Sequence, residues 1–241
     1  MLMKGELVAM AYGTGPNPLT RFLGKSKSSR GDRVVFTNRR ILLIDCQGRK
    51  EIKVEYKSIP YSSIRGFSVE TAGHWDRTAE VWLGLKNHWT MARVELDFRN
   101  TCTDIMAIQK YMAFHIFGTY KGSKRNDDVP PTTWPTYKSD VTGFLDFLGD
   151  DNHQIDAKDV EARLRVEPPI LQEDEEVEAA FKCGRDMFLH TSKRLLYIDV
   201  QLSGQVSYTS CPLKYCTGFK IKTAGKLDRD AEMTASTRCM L

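Results

Sequence analysis

A chain of 241 residues, 41% hydrophobic and 27% charged, has the make-up of a globular protein with room for one large or two small domains, which excludes wholesale disorder and the fibrous classes. No apolar run reaches the roughly 18 to 20 residues that span a bilayer, and Met1 to Tyr12 lacks the basic start and long apolar stretch of a secretory leader, so a cytoplasmic protein is expected. The formal charge of +4 hides an asymmetry: residues 1–125 hold 21 Lys and Arg against 11 Asp and Glu, residues 126–241 hold 14 against 20, which favours docking of the halves or a basic first half facing an anionic surface.

In chain order, a first strand gives way to a long basic loop, Gly13 to Gly31, carrying Arg21, Lys25, Lys27 and Arg30, with Arg33 just beyond it. Between Asp32 and Asp45 two short β-rich runs are broken at Thr37-Asn38-Arg39-Arg40, as in a tight hairpin, and Gly48 to Lys53 reads as a second, polar hairpin loop. Phe67, Val69 and Thr71 alternate with Ser68 and Glu70, the period of a half-buried strand, and Thr71-Ala72-Gly73 places glycine where that strand must bend or bulge. Val94, Leu96 and Phe98 mark a later strand. A helix comes next over about Thr103 to Phe117, with Thr101 or Thr103 as cap, Asp104 in its first turn, Gly118 as its stop, and Ile105, Ile108, Met112 and Ile116 as the core-facing stripe.

Residues 119–139, rich in Pro, Lys, Thr and Ser, read as a linker that lies over the first domain through Trp134 or serves as a plain spacer. Residues 140–166 read as a helical connector: Val141 to Leu148 and Asp156 to Arg165 each show helical spacing, and both are expected to pack on the C-terminal part of the chain.

That C-terminal part repeats the first. Thr37-Asn38-Arg39-Arg40-Ile41-Leu42-Leu43-Ile44-Asp45 returns as Thr191-Ser192-Lys193-Arg194-Leu195-Leu196-Tyr197-Ile198-Asp199. Tyr56, Ser58 and Pro60 return as Tyr208, Ser210 and Pro212, Gly66-Phe67 as Gly218-Phe219, and Thr71-Ala72-Gly73 as Thr223-Ala224-Gly225. The spacing between the copies shifts only within Gly48 to Lys53, a loop that tolerates it. Carried across at the same spacing, the closing helix would end beyond Leu241, so the second copy is expected to lack its last strands and helix, as a fragment or with the gap filled by another chain.

Curved antiparallel strands closed by one C-terminal helix, with the Thr-Asn-Arg-Arg hairpin and the later Thr-Ala-Gly, resemble the bacterial-type pleckstrin homology domain, over Glu6 to Phe117 and, less completely, Val177 to Leu241. The expected fold is mainly β with α: two tandem barrel- or sandwich-like modules, residues 1–118 and 167–241, the second cut short. The resemblance implies a binding or oligomerising scaffold without known catalytic residues.

Three function classes are open. The first is protein interaction or self-association into a homo-oligomer, for which an unpaired sheet edge in the second copy is a physical basis. The second is peripheral binding to an anionic membrane surface, since Arg21, Lys25, Lys27, Arg30 and Arg33 supply phosphate-matching cations in the loop that phosphoinositide-binding relatives use. An enzyme is the weakest. His74, His88, His115, His153 and His190 share no spacing, no GxSxG, HExxH or phosphate-binding glycine loop is present, and the recurrent acids Asp32/Asp186, Asp45/Asp199 and Glu80/Glu232 are explained by hairpin-end hydrogen bonds and by pairing with Arg40 or Arg194. No catalytic residue and no cofactor is therefore assigned. Cys46, Cys102, Cys183, Cys211, Cys216 and Cys239 show no CxxC or zinc-finger spacing, so no metal is expected and the thiols read as reduced, with Cys211 and Cys216 as strand residues. Phe36, Tyr56 and Tyr61 fit core and turn roles better than nucleic-acid platforms.

Overall fold

A computed structural model describes residues 2–13, 33–47, 53–73, 78–86, 93–99, 103–118, 153–222 and 232–237. The first copy supplies β1 (Val8–Gly13), β2 (Arg33–Thr37), β3 (Arg40–Gln47) and β4 (Lys53–Pro60), a 3₁₀ turn at Tyr61–Ser63, then β5 (Ile64–Glu70), β6 (Thr78–Leu85), β7 (Arg93–Arg99) and helix α1 (Ile105–Phe117). After β8 (His153–Ile155) and helix α2 (Ala157–Val166), the second copy runs through β9 (Val177–Cys183), β10 (Asp186–Thr191), β11 (Arg194–Val200), β12 (Val206–Pro212), a 3₁₀ turn at Leu213–Tyr215, β13 (Cys216–Lys222) and β14 (Glu232–Thr237).

The local signals form the elements that their chemistry favours. Phe67, Val69 and Thr71 are buried together, as are Val94, Leu96 and Phe98; the period-two reading holds in β7, whereas in β5 Ser68 is buried as well, so that strand is not half-buried. Ile105, Ile108, Met112 and Ile116 are the buried stripe of α1. Its cap is Asp104 and not one of the threonines: the carboxylate accepts from the Ala107 amide at 2.9 Å, and Gly118 ends the helix at φ 73°. Met106, Tyr111 and Ala113 are buried too, because α1 has neighbours on more than one side. Gln172 Nε2 reaches the Lys110 carbonyl at 3.3 Å, and Lys214 Nζ the Ile116 carbonyl at 2.6 Å. Helix α2 is capped by Asp156, which accepts from Lys158 and Asp159 amides, and it buries Val160 and Leu164 beside β9. The linker, Trp134 and the expected helix over Val141 to Leu148 lie outside the described residues.

Among the described residues the two copies do not close into separate barrels. Strands β1-β2-β3-β4 form one antiparallel sheet, β13-β14 a second, and the remaining strands one eight-stranded sheet in the order β7-β6-β5-β12-β11-β10-β9-β8. The halves therefore share a sheet, joined where β5 of the first copy pairs with β12 of the second. Their apolar faces are continuous as well, since one cluster runs from Val34, Phe36 and Phe67 to Met187, Ile198 and Tyr208. Fold class and repeat are as the sequence indicates; the layers are sandwich-like.

Candidate functional site

Each copy is organised around the same buried ion pair. In the second, Arg194 Nε lies 2.7 Å from Glu175 Oε1 and its Nη2 3.1 Å from Oε2, while Nη1 donates to Ser210 Oγ at 2.8 Å. Thr191 Oγ1, 2.8 Å from Glu175 Oε1, also accepts the Lys193 and Arg194 amides and so ties the hairpin to the pair. In the first copy Arg40, Glu6, Thr37 and Ser58 repeat every one of these contacts. Hydrogen bonds from Arg40, with smaller help from Met3 and Thr37 and against the effect of burial, hold the Glu6 carboxyl down at about 2. Arg194 thus pairs with Glu175 and not with Asp186 or Asp199. Glu6 and Glu175, each two residues ahead of the first strand of its copy, are the partners, because Val8 pairs with Thr37 and Val177 with Thr191.

The seam between the copies is polar on one face and apolar on the other. Val69 stands opposite Tyr208 on the core side, whereas Ser68 Oγ meets Ser207 Oγ at 2.9 Å and Thr209 Oγ1 at 3.0 Å. Gln205 Nε2 donates to Glu70 Oε1, and Thr71 exchanges bonds with Val206 through its amide and its hydroxyl, each at 2.9 Å. At the end of the seam a Cβ on Gly73 would stand 2.5 Å from Gln205 Cγ and 3.0 Å from the Ser203 carbonyl oxygen. The shared glycine is needed here for close approach of the second copy, a reason the single-copy reading of a bend does not contain.

Strand β12 has strands on both sides, but among the described residues β3 is the single strand neighbour of its counterpart β4. The equivalent side chains differ accordingly: Tyr208 is 2% exposed and Tyr56 48%, Val206 0% and Val54 37%, and Arg194 is fully enclosed while Arg40 keeps 16%. The same residues that are core in one copy form a bare patch beside a sheet edge in the other, so Tyr56 does not take the core role expected of it. We take this edge as the candidate site.

A model of the bacterial PH domain family matches residues 26–116 and again 148–238. The chain belongs to that family. Over 54 residues it is 50% identical to the uncharacterized protein YjqA of Bacillus subtilis (strain 168), a stretch that makes up 22% of this chain and 43% of YjqA, so the chain spans less than half the length of that relative. Two crystal structures are similar to about half of the chain at 33% identity: a pleckstrin homology domain from Shewanella amazonensis SB2B, with 48% of this chain and 80% of that one covered at a TM-score of 0.36, and a DUF1696 family protein with a pleckstrin-homology domain from Shewanella loihica PV-4, with 44% and 97% covered at 0.33. Domains of the bacterial PH family serve in general for binding or scaffolding and are in general not catalytic.

On this PH framework only Arg33 of the basic-loop residues is described, exposed at the start of β2; Arg21, Lys25, Lys27 and Arg30 lie outside the described residues. His74, His88 and Asp32 lie outside them too. His115 stacks on Tyr61 at 4.6 Å between ring centroids, and His190 Nδ1 meets Glu178 Oε2 at 2.8 Å on the surface. Asp186 makes the expected hairpin-end bonds, accepting from the Tyr197 hydroxyl at 2.8 Å and the Val200 amide at 3.1 Å. Glu80, Glu95 and Asp97 each offer a carboxylate oxygen within 4.8 Å of the others, on the register that sets Glu80 opposite Asp97. Glu95 is exposed, Glu80 and Asp97 are half-buried, and Asp97 Oδ1 is buried without a hydrogen-bond partner among the described residues; exposed acidic groups are common without an ion. No helix of the described residues is long and apolar enough to cross a membrane.

Proposed function

We propose that this bacterial PH protein is a non-catalytic scaffold that assembles with itself edge to edge, through β4 of the first repeat. The observation that carries the reading is the seam itself: the β4 equivalent of the second repeat is already paired with β5 of the first, and the exposure of Tyr56 and Val54 matches the absence of such a neighbour on β4 among the described residues. The strand equivalent to β5 in the second repeat is β13, whose strand neighbour among the described residues is β14. A β4 to β13 contact between chains would be head-to-tail, and such contacts close into rings or run on as filaments. The edge is selective: where β12 carries Ser207 and Thr209, β4 carries Glu55 and Lys57, and charge on an edge discourages indiscriminate pairing. In the register of the seam Glu55 stands opposite Lys222 and Lys57 opposite Lys220.

Light scattering on the purified chain at several concentrations is the test. A discrete multiple of 27.5 kDa is expected, dissociated by Tyr56→Glu and tightened by Lys57→Glu. A monomer at every concentration, or an oligomer indifferent to both changes, overturns the reading. The basic excess of residues 1–125 supports a second use, attraction to anionic lipid through Arg21, Lys25, Lys27, Arg30 and Arg33. Flotation with phosphatidylserine vesicles tests it: recovery with the vesicles that Lys25→Glu with Lys27→Glu abolishes supports it, and recovery equal to that with neutral vesicles removes it.

A further inference from the structure

The corner that carries the chain out of the shared sheet holds two thiols side by side. Cys211 lies near the end of β12 and Cys216 opens β13, with Pro212 and the 3₁₀ turn Leu213–Tyr215 between them. Both sulfurs stand 3.9 Å from the carbonyl oxygen of Pro212, and neither is in a disulfide. Cys211 is buried and Cys216 partly exposed, so solvent reaches the pair through Cys216.

The first repeat shows what this corner is built to hold. There Pro60 leads into the 3₁₀ turn Tyr61–Ser63 and Ile64 leaves it, and the backbone angles agree: φ −62° and ψ 140° at Pro60 against −59° and 133° at Pro212, φ −82° and ψ 126° at Ile64 against −71° and 128° at Cys216. The Ile64 amide bonds the Tyr61 carbonyl as the Cys216 amide bonds that of Leu213. At the positions of Cys211 and Cys216 the first repeat has Ile59 and Ile64, both in the core. A corner that brings two branched aliphatic side chains inward in one repeat brings two sulfurs together in the other.

We propose that Cys211 and Cys216 are a thiol–disulfide site, oxidised to an intramolecular disulfide by a low-molecular-weight disulfide R–S–S–R. The Cys216 thiolate attacks one sulfur of R–S–S–R, forming the mixed disulfide Cys216–S–S–R and releasing one thiolate. The Cys211 thiolate then attacks the Cys216 sulfur and expels the second. The pair loses two electrons and two protons, and R–S–S–R leaves as two molecules of RSH. Burial and the adjoining Cys211 thiol push the Cys216 thiol up to about 11, so the exchange is slow and the pair resists casual oxidation. The corner is docked onto the first repeat, with the Arg65 guanidinium 4.1 Å over the Tyr215 ring and Lys214 bonded to the end of α1. Closing the disulfide therefore fixes β13 against the shared sheet.

The test is equilibration of the full chain in glutathione buffers of graded ratio, followed by acid quench, alkylation and tryptic peptide mapping without reductant. Trypsin cuts after Lys214, between the two cysteines, so the disulfide appears as a linked pair of peptides that separates on reduction. That linked pair is expected in oxidised buffer, with a formation constant at least about tenfold larger for the folded chain than for the chain in urea, because the fold holds the sulfurs together. Cys216→Ser should remove it and leave Cys211 alkylated, while Cys183→Ser, at the exposed thiol, should leave it unchanged. Full alkylation of both cysteines at every ratio, or a constant no larger folded than unfolded, overturns the proposal.

Discussion

The duplicated ion pair allows one interaction to be measured twice within a single molecule. In Arg194→Ala the Glu175 carboxylate, its side chain wholly enclosed, keeps Thr191 Oγ1 and the Gln172 amide at 3.0 Å but loses both guanidinium bonds. Ser210 loses a donor, and so does the Ile170 carbonyl, 2.7 Å from Nη2. Leaving one member of a buried pair behind costs about 3–5 kcal/mol. In Arg40→Ala the guanidinium that is removed was 16% exposed, so water can enter in its place and the cost falls to about 2 kcal/mol, the scale of a charged hydrogen bond. For a chain of this size each kcal/mol lowers the melting temperature by about 2–4 °C. Urea unfolding followed by circular dichroism is the assay. Arg194→Ala should be the more damaging by at least about 1 kcal/mol, and Glu175→Gln with Arg194→Met should recover much of that loss because no charge is left unpaired. Equal losses from Arg194→Ala and Arg40→Ala would refute the argument that burial sets the cost.

Two further outcomes are expected. Because the folded carboxyl of Glu6 lies near 2 against an ordinary 4.5, the folded chain binds fewer protons there; its stabilising effect is complete above about 4.5 and lost as pH falls toward 2. Asp199 has the opposite sign: burial and the neighbouring Asp186 raise it, so its contribution is present at low pH and lost as pH rises through the raised value. Urea midpoints between pH 7 and 3 should fall less steeply in Glu6→Gln than in the parent, and an unchanged slope counts against the Arg40 contact. Gly73→Ala should cost about 1–3 kcal/mol by forcing the seam apart, whereas Gly218→Ala, whose Cβ would meet nothing within 4 Å, should stay within about 0.5 kcal/mol in the same urea assay.

Much of a single repeat was legible because its signals are local. The Thr-x-x-Arg hairpin, the period-two strands and the spacing of Ile105, Ile108, Met112 and Ile116 depend on residues a few positions apart. The acid partners of the arginines were not legible for the opposite reason. Glu6 and Glu175 occupy the same place in their copies, but the long loop after β1 in the first copy breaks the constant spacing through which the other matches are found. The basic residues of that loop stood out as charges, and charge composition carries no geometry.

The seam was hidden because an edge strand and a central strand can share one alternation of apolar and polar residues in sequence; here the residue types differ at the outward positions. In β4 those are Glu55 and Lys57, and in β12 Ser207 and Thr209, small hydroxyls that can lie against Ser68 of a neighbouring strand. Loss of charge on the outward face of one copy is therefore a sequence signal for which copy has acquired a strand neighbour, because a lysine or glutamate directly against another strand needs a partner of opposite sign and a serine does not. By that criterion β12 is committed to the seam. Strand β4 keeps the charged face of an edge, together with a tyrosine and a valine whose counterparts in the second copy are core.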